Sequence, residues 1–293
     1  MSQAKSAIDF AHEIVLDFPK DCLAIGYGSC FLDTSPAPAA KPRLVDILLI
    51  TPNPDQFHKE VFTTQPGLYE GQRYNQDKAI FRQRCFPLLY FTMLSKRGRG
   101  YKVGVVSKEA FLRGLRTWEV FTLAGRLQKP FVSLTKMPEE VQSAIDFNRE
   151  SALLLAALTC ESQSDLFRKI IELSYVGDIR FRLGIEGRAK LEQLEQKLRP
   201  KMVEIYTPIL AKFGMELSPW LHPGPGAAPR RPEQLWRALS ERRLSVASRT
   251  PREMLDNLEK LNLLSSGKMV WNQLLFGGVS KNLLYLAQKV FKK

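Results

Sequence analysis

The residues of this chain that could carry chemistry lie in two short segments near its N terminus. Gly26, Gly28 and Ser29 end an apolar run typical of a buried strand, and Asp46 interrupts the next apolar run, at residues 44–51. Glycines let a backbone approach phosphate groups, and the serine hydroxyl adds a donor. A carboxylate in an apolar strand is costly unless a cation compensates it. The spacing therefore indicates a site that grips a triphosphate through Mg²⁺. The alternative is that Gly28 and Ser29 form an ordinary turn and that the side chain of Asp46 points to solvent.

A second carboxylate for a two-metal site does not come from the same strand. Nucleotidyltransferases of the polymerase-β-like fold carry Asp-x-Asp, but the residue two positions after Asp46 is Leu48. Another acid would have to complete the site, and Asp178 is our candidate for that second metal ligand. A structural pair between Asp178 and Arg180 is the alternative.

The charge of the chain is unevenly placed. The chain has 293 residues and a net charge of +13. Residues 71–116 contain eleven Lys or Arg against two acids, Asp77 and Glu109, so this segment carries 11 − 2 = +9. Such a segment favours a polyanionic partner: a nucleotide, a nucleic acid or an anionic lipid surface. A basic surface without a partner is the alternative. The four scattered cysteines and three histidines exclude the usual spacings of a zinc or disulfide framework.

The pattern of apolar residues predicts an α+β protein of two domains. A helix up to about Phe18 precedes strands at 22–27 and 44–51, a short helix at 57–62, and a hairpin of strands at 88–95 and 101–107. After residue 130 the chain reads as helices only. These are predicted at 139–158, 164–173, 187–198, 200–213, 233–241, 251–264 and 280–293. We therefore predict a nucleotidyltransferase-like mixed-sheet domain at 1–130 and a helical domain at 131–293.

The end of the chain suggests a membrane contact. The helix predicted at 280–293 has one apolar stripe, and it also contains four lysines. This pattern fits a helix lying on an anionic membrane, and core packing of the same stripe fits it equally well. The longest apolar run, residues 152–158, is far too short to span a bilayer.

Beyond these patterns, the chain resembles the mitochondrial translocator assembly and maintenance family, whose members are phosphatidate cytidylyltransferases. The strings that carry the resemblance are GYGS at 26–29, VDIL at 45–48, YKVGVVS at 101–107, AGRLQKP at 124–130, SAIDFN at 143–148 and SYVGDIR at 174–180. The resemblance implies synthesis of CDP-diacylglycerol and pyrophosphate from CTP and phosphatidate, with Mg²⁺. It also implies a peripheral protein on the matrix side of the mitochondrial inner membrane, or on the cytoplasmic face of a bacterial membrane. No nucleic-acid partner is expected, and a homo-oligomer stays open.

The matched strings suggest roles for further residues. Ser29 and Asp46 would be catalytic, Gly26, Gly28 and Lys102 would bind the nucleotide, and Arg126 and Lys129 would bind the phosphate of the lipid. Solvated side chains are the alternative for both lysines. His58 is either a packing residue or a neighbour of the nucleotide.

Three residues depart from the family pattern: Cys30 replaces a glycine, Leu48 stands where a second acid could be, and Leu68 replaces a histidine. They motivate one rival, a catalytically inactive membrane-associated relative. The +9 segment motivates the other, a nucleotidyltransferase that acts on nucleic acid.

Overall fold

The structure, a computed structural model, describes residues 3–31, 44–70, 75–160, 166–182, 188–217 and 232–276. The chain divides into two compact units. One, here called the sheet unit, is drawn from the described residues of 3–112, 131–138 and 271–276. The other, the helical unit, is drawn from the described residues of 113–130 and 139–270. The boundary after residue 130 stays a prediction.

The sheet unit combines short helices with five strands. Its elements are α1 (Gln3–Val15), β1 (Leu23–Tyr27), a single 3-10 turn (Ser29–Phe31), β2 (Val45–Thr51), α2 (Pro54–Thr64), α3 (Pro66–Glu70), α4 (Gln76–Cys85), β3 (Leu88–Lys96), β4 (Arg99–Ser107) and β5 (Phe131–Ser133). Helix α5 (Lys108–Thr117) begins in this unit and leads into the helical one. Asparagines start two of the helices: Asn53 Oδ1 accepts from the main chain of α2, and Asn75 Oδ1 from that of α4.

The strands form one mixed sheet in the order β3-β4-β2-β1-β5. β2 and β4 are parallel, while the β1–β2, β1–β5 and β3–β4 pairs are antiparallel. The predicted α+β class is therefore confirmed. Every strand and the hairpin that the sequence predicted are present, and the three-residue strand β5 was not predicted.

One face of the sheet is covered by helices. Alternate residues of β2 (Val45, Ile47 and Leu49) are buried together with Ile14 of α1 and Phe57 of α2. Because side chains alternate along a strand, the residues between them, including Asp46 and Leu48, lie on the opposite face. The core thus fixes which face carries the candidate site.

The basic hairpin formed by β3 and β4 holds α1 in place. Lys96 Nζ lies 2.5 Å from Asp17 Oδ2, and Arg97 Nη1 lies 3.0 Å from Glu13 Oε2. Arg99 donates to the carbonyl of Ser6 at 2.9 Å. Part of the positive charge that the sequence placed in residues 71–116 is therefore used inside the unit rather than offered to a partner.

The helical unit contains the remaining elements. They are α6 (Phe121–Leu127), α7 (Glu139–Thr159), α8 (Leu166–Leu173), α9 (Ile179–Arg182), α10 (Arg188–Lys212), α11 (Pro232–Ser240) and α12 (Pro251–Phe276), whose residues 271–276 belong to the sheet unit. Within the described residues, no helix combines the length and apolar character needed to cross a membrane. The helix predicted at residues 280–293 lies outside the described part of the chain.

The prediction of two separate helices, at 187–198 and 200–213, is wrong. Helix α10 continues through Pro200 and Pro208 as a single helix of 25 residues. A proline removes one main-chain hydrogen bond, but the buried side chains of Met202, Tyr206 and Leu210 fix the helix beyond the first proline. Tertiary packing here outweighs local propensity.

A half-buried ion cluster joins three segments of the helical unit. Glu150 of α7 accepts hydrogen bonds from Lys212 at the end of α10 and from Arg242, which follows α11. Arg242 also donates to the carbonyl of Phe147 at 3.0 Å. Burial raises the pKa of Glu150, but the hydrogen bonds from Lys212 and Arg242 outweigh it, and the pKa lies below its ordinary value. Glu150 is therefore a carboxylate at neutral pH.

Candidate active site

Asp46 and Lys102 lie side by side on neighbouring strands. In the register of the sheet, Tyr27 of β1 is opposite Asp46 of β2, and Asp46 is opposite Lys102 of β4. Residues in such a row point to the same face. Lys102 Nζ is 3.9 Å from Asp46 Oδ1, and the two side chains are 19% and 28% exposed. The row thus presents one negative and one positive group where solvent can reach them.

The turn after β1 lies against Asp46. Gly28 has a φ of +94°, a region that side chains other than glycine's rarely adopt. A Cβ atom placed on Gly28 would be 3.5 Å from Asp46 Oδ2. Gly26 has a different reason to be glycine, because a Cβ there would come within 2.5 Å of the ring of buried Phe31. Phe31 thus holds the turn that begins at Ser29 close to the strand.

Cys30 occupies a buried position in this turn and does not have a positive φ. Burial raises the pKa of Cys30 to about 11, and the nearby Asp46 carboxylate adds to the rise. The conformational demand for glycine therefore falls on Gly28, and the cysteine fits the backbone without strain.

The Asp46 row holds a single acid. Leu48 shares the face of Asp46 but is buried, with 2% of its surface exposed, and its partner on β4 is Gly104. Among the residues that the structure describes, no three His, Cys, Asp or Glu side chains gather as a metal site. Mg²⁺ commonly uses one or two carboxylates and completes its shell with water and substrate phosphates. Asp46, a hard oxygen donor beside a glycine turn, fits that requirement.

Tyr90 is a site residue that the sequence reasoning missed. Its ring centroid lies 4.1 Å from Lys102 Nζ. In the register of β3 and β4, Phe91 pairs with Val103 and Leu94 pairs with Tyr101. Two residues of β3 therefore lie opposite the single residue Lys102 of β4, an arrangement called a β-bulge. The hairpin itself was predictable, but its regular register would pair Tyr90 with Val105, and only the bulge pairs Tyr90 with Gly104 on the face of Lys102.

His58 lies on the other face of the sheet. It is fully buried, with Nδ1 2.9 Å from the hydroxyl of Tyr69 and Nε2 3.3 Å from Gln83 Oε1. Gln83 Nε2 in turn donates to the carbonyl of Val105 on β4. Burial lowers the pKa of His58 to about 4, so the ring is neutral at neutral pH. The structure favours the packing role for this residue.

Comparison with known proteins identifies the family of this chain. A family model described as mitochondrial phosphatidate cytidylyltransferase matches residues 11–222. The chain belongs to this family. The resemblance noted in the sequence is thereby confirmed.

Individual members of the family show how much of each protein is shared. The Saccharomyces cerevisiae protein is 31% identical over 72% of this chain and 57% of its own length. The Caenorhabditis elegans protein is 27% identical over 69% of this chain and 65% of its own length. The Homo sapiens protein is 29% identical over 68% of this chain and 46% of its own length. All three are named mitochondrial phosphatidate cytidylyltransferase. The chain thus spans about half to two thirds of the relatives it matches.

The other predicted site residues lie in the part of the helical unit that the family model matches. Arg126 donates to the carbonyl of Thr122 at 2.7 Å. Lys129 donates to the carbonyl of Gly125 at 2.9 Å and to Ser174 Oγ at 2.5 Å.

Asp178 is buried at the start of α9, and its carbonyl accepts from the main chain of that helix. The roles of Arg126, Lys129 and Asp178 in binding phosphate or metal stay predictions.

Proposed function

We propose that this protein is a phosphatidate cytidylyltransferase, which makes CDP-diacylglycerol and pyrophosphate from CTP and phosphatidate. The observation that carries the proposal is the placement of Asp46, Lys102 and the Gly28 turn at one edge of the sheet, in a chain of this family. The names of the relatives support the choice of CTP and phosphatidate as substrates.

The reaction replaces one phosphate bond by another. An oxygen of the phosphatidate phosphate forms a bond to the α-phosphorus of CTP, and the bond from that phosphorus to the pyrophosphate oxygen breaks. The attacking phosphate is already an anion near pH 7, so no strong general base is needed. Catalysis then depends on positioning and on neutralising charge.

The residues of the sheet unit divide these tasks. The main chain of the turn at Gly26, Gly28 and Ser29 would bind the triphosphate, and Lys102 would neutralise the charge that develops on it. Asp46 would hold a Mg²⁺ ion. When bound, that ion neutralises and orients the phosphates of CTP.

Residues of the helical unit would serve the lipid. Arg126 and Lys129, in the AGRLQKP string, are proposed to bind the phosphate of phosphatidate. Lys129 can do so while keeping its contacts with Gly125 and Ser174, because an ammonium group has three donors. Asp178 is proposed as the second carboxylate of the metal site.

The proposed setting is the matrix side of the mitochondrial inner membrane, where the protein binds the surface. It rests on the mitochondrial names of the relatives and on the insolubility of phosphatidate. An anionic lipid surface is the proposed partner, and CTP the proposed nucleotide. A homo-oligomer is compatible with the proposal but not required by it.

The test is direct synthesis. The protein is incubated with CTP labelled at the α-phosphate, MgCl₂ and phosphatidate vesicles, and the lipid fraction is analysed for labelled CDP-diacylglycerol. Label that enters the lipid only with phosphatidate present supports the proposal. Absence of product, under conditions in which a family member is active, overturns it.

Two further measurements separate the rivals. Label transferred to added RNA instead of lipid would indicate a nucleic-acid enzyme. An inactive relative would form no labelled lipid. Calorimetry would also detect no binding of CTP to it in the presence of Mg²⁺.

A further inference from the structure

Lys102 and Asp46 do not form a closed ion pair. Their 3.9 Å separation exceeds the 2.7–2.9 Å typical of a hydrogen bond between an ammonium and a carboxylate. In the same unit, Lys96 approaches Asp17 to 2.5 Å. Both Lys102 and Asp46 are partly exposed, so desolvation does not prevent closer contact. The ammonium group of Lys102 is therefore able to make other contacts beside Asp46.

The ring of Tyr90 supplies one such contact. Lys102 Nζ lies 4.1 Å from the ring centroid, well within the range of a cation–π interaction. Tyr90 is on β3, and its ring extends across Gly104, the cross-strand partner of Tyr90 on β4. A Cβ atom at Gly104 would lie 2.7 Å from Tyr90 Cε1, so the ring can occupy this place only because residue 104 is glycine.

We infer that Tyr90 is a positioning residue, which holds the ammonium of Lys102 beside Asp46 without letting the ion pair close. The oxygens of Asp46 then stay available to a divalent cation, while the positive charge of Lys102 stays where the triphosphate would lie. A closed pair would have to be broken before a cation could bind, which would weaken cation binding. The inference rests on the proposed function in one respect, the role of Asp46 as a metal ligand.

The test measures binding of MnCl₂ alone, by water-proton relaxation, so no turnover is involved. Asp46→Asn serves as the blank that defines the signal from this site. Tyr90→Leu should weaken Mn²⁺ binding by about two- to fivefold, the loss that corresponds to a cation–π contact of about 0.5–1 kcal/mol. Tyr90→Phe keeps a ring face and should bind as the wild type does. Phe91→Leu, which shortens the neighbouring side chain on the other face, is the matched control and should also bind normally.

Two more variants test the cause. In the Lys102→Met background, Tyr90→Leu should have no further effect, because no ammonium is left to close on Asp46. Gly104→Ala should displace the ring and weaken Mn²⁺ binding as Tyr90→Leu does. It keeps the inference testable if Tyr90→Leu does not fold, as judged by circular dichroism.

Several results would overturn the inference. They are wild-type affinity in both Tyr90→Leu and Gly104→Ala, an equal loss in Tyr90→Phe, a loss that persists without Lys102, and an unchanged signal in Asp46→Asn. A wild-type protein that makes no CDP-diacylglycerol but shows the expected pattern would overturn the proposed function alone.

Discussion

Asp46 and Lys102 face each other across the parallel strands β2 and β4, and Lys102 Nζ stops 3.9 Å from Asp46 Oδ1. β1 runs antiparallel to β2, so the end of β1 and its glycine turn meet the start of β2 at the same edge. Three segments far apart in sequence therefore place a carboxylate, an ammonium and a turn together. Substitutions can separate what each of the three contributes.

Replacing Asp46 by Asn should lower the rate of CDP-diacylglycerol synthesis at least about 100-fold, because the amide keeps the shape but loses the charge that binds a cation. The melting temperature should change little, since Asp46 is partly exposed. Asp9→Asn, an exposed change on α1, is the control and should keep full activity. An active Asp46→Asn protein would contradict the assignment.

Gly28 and Gly98 form a matched pair for testing the turn. Both have positive φ, at +94° and +74°, so alanine should cost each about 1–2 kcal/mol of stability through backbone strain. Only Gly28 lies beside Asp46, whereas a Cβ at Gly98 would meet nothing within 4 Å. Calorimetric affinity for CTP with Mg²⁺ should therefore fall in Gly28→Ala and remain unchanged in Gly98→Ala. Equal affinities in the two variants would count against the turn as a phosphate-binding element.

Cys30→Gly should restore the family residue without improving activity. Cys30 does not have the positive φ that would call for glycine, and its buried side chain packs in the core of the sheet unit. The glycine should cost about 1 kcal/mol or more, through the added freedom of the unfolded chain and the lost packing. Urea unfolding measures the cost, and the labelled-CTP assay measures activity. A large gain in activity would instead mean that Cys30 impairs the turn.

His58 should make the stability of the protein depend on pH. Burial lowers the pKa of His58 from its ordinary 6.5 to about 4, so between these values the unfolded chain binds a proton that the folded chain does not. This contribution is complete above pH 6.5 and is lost as the pH falls, by about 3 kcal/mol near pH 4. His58→Gln removes the titrating group. Between pH 7 and pH 4.5, the unfolding free energy of the wild type should therefore fall more than that of the variant. An equal fall in the two proteins would contradict a buried, neutral His58 ring.

Alanine substitutions at the basic residues of the helical unit should differ strongly in their cost to stability. Arg242→Ala should cost about 3 kcal/mol, because it removes a largely buried partner of Glu150. Lys212→Ala should cost under about 1 kcal/mol, since 59% of the Lys212 side chain is exposed. Arg237→Ala removes an exposed pair with Glu241 and should change stability by no more than about 0.5 kcal/mol. Urea unfolding of the three variants checks the order, and equal costs would show that burial does not govern this cluster.

Much of the fold could be predicted because its signals are local. Alternating or continuous apolar residues gave the strands, and helical periodicity gave α1 and the long helix α7. Helix α4 was missed because it is rich in charged residues, although it buries Ala79 and Arg82. The continuity of α10 through Pro200 was missed because it depends on packing by residues far away in sequence.

The sequence could predict those parts of the site that come from strands consecutive in the chain. Gly28 directly follows β1, Asp46 lies on β2, and strands that follow each other in the chain are often neighbours in the sheet. The pairing of Asp46 with Lys102 needs the parallel register of β2 and β4, and the place of Tyr90 needs a bulge. Neither leaves a mark in local composition, which explains why Lys102 was proposed only from the family resemblance.

The contacts between the basic hairpin and α1 also set an order of events during synthesis. Lys96 bonds to a residue 79 positions earlier, and Arg99 to one 93 positions earlier. At the usual rates of translation, α1 must therefore wait roughly 4–20 s after it is made before the hairpin exists to receive it. Until then the native packing of α1 is incomplete, because the ring of Phe10 packs edge-on against Tyr101 of β4. During synthesis, part of the apolar face of this first helix therefore stays exposed, and such surface promotes aggregation.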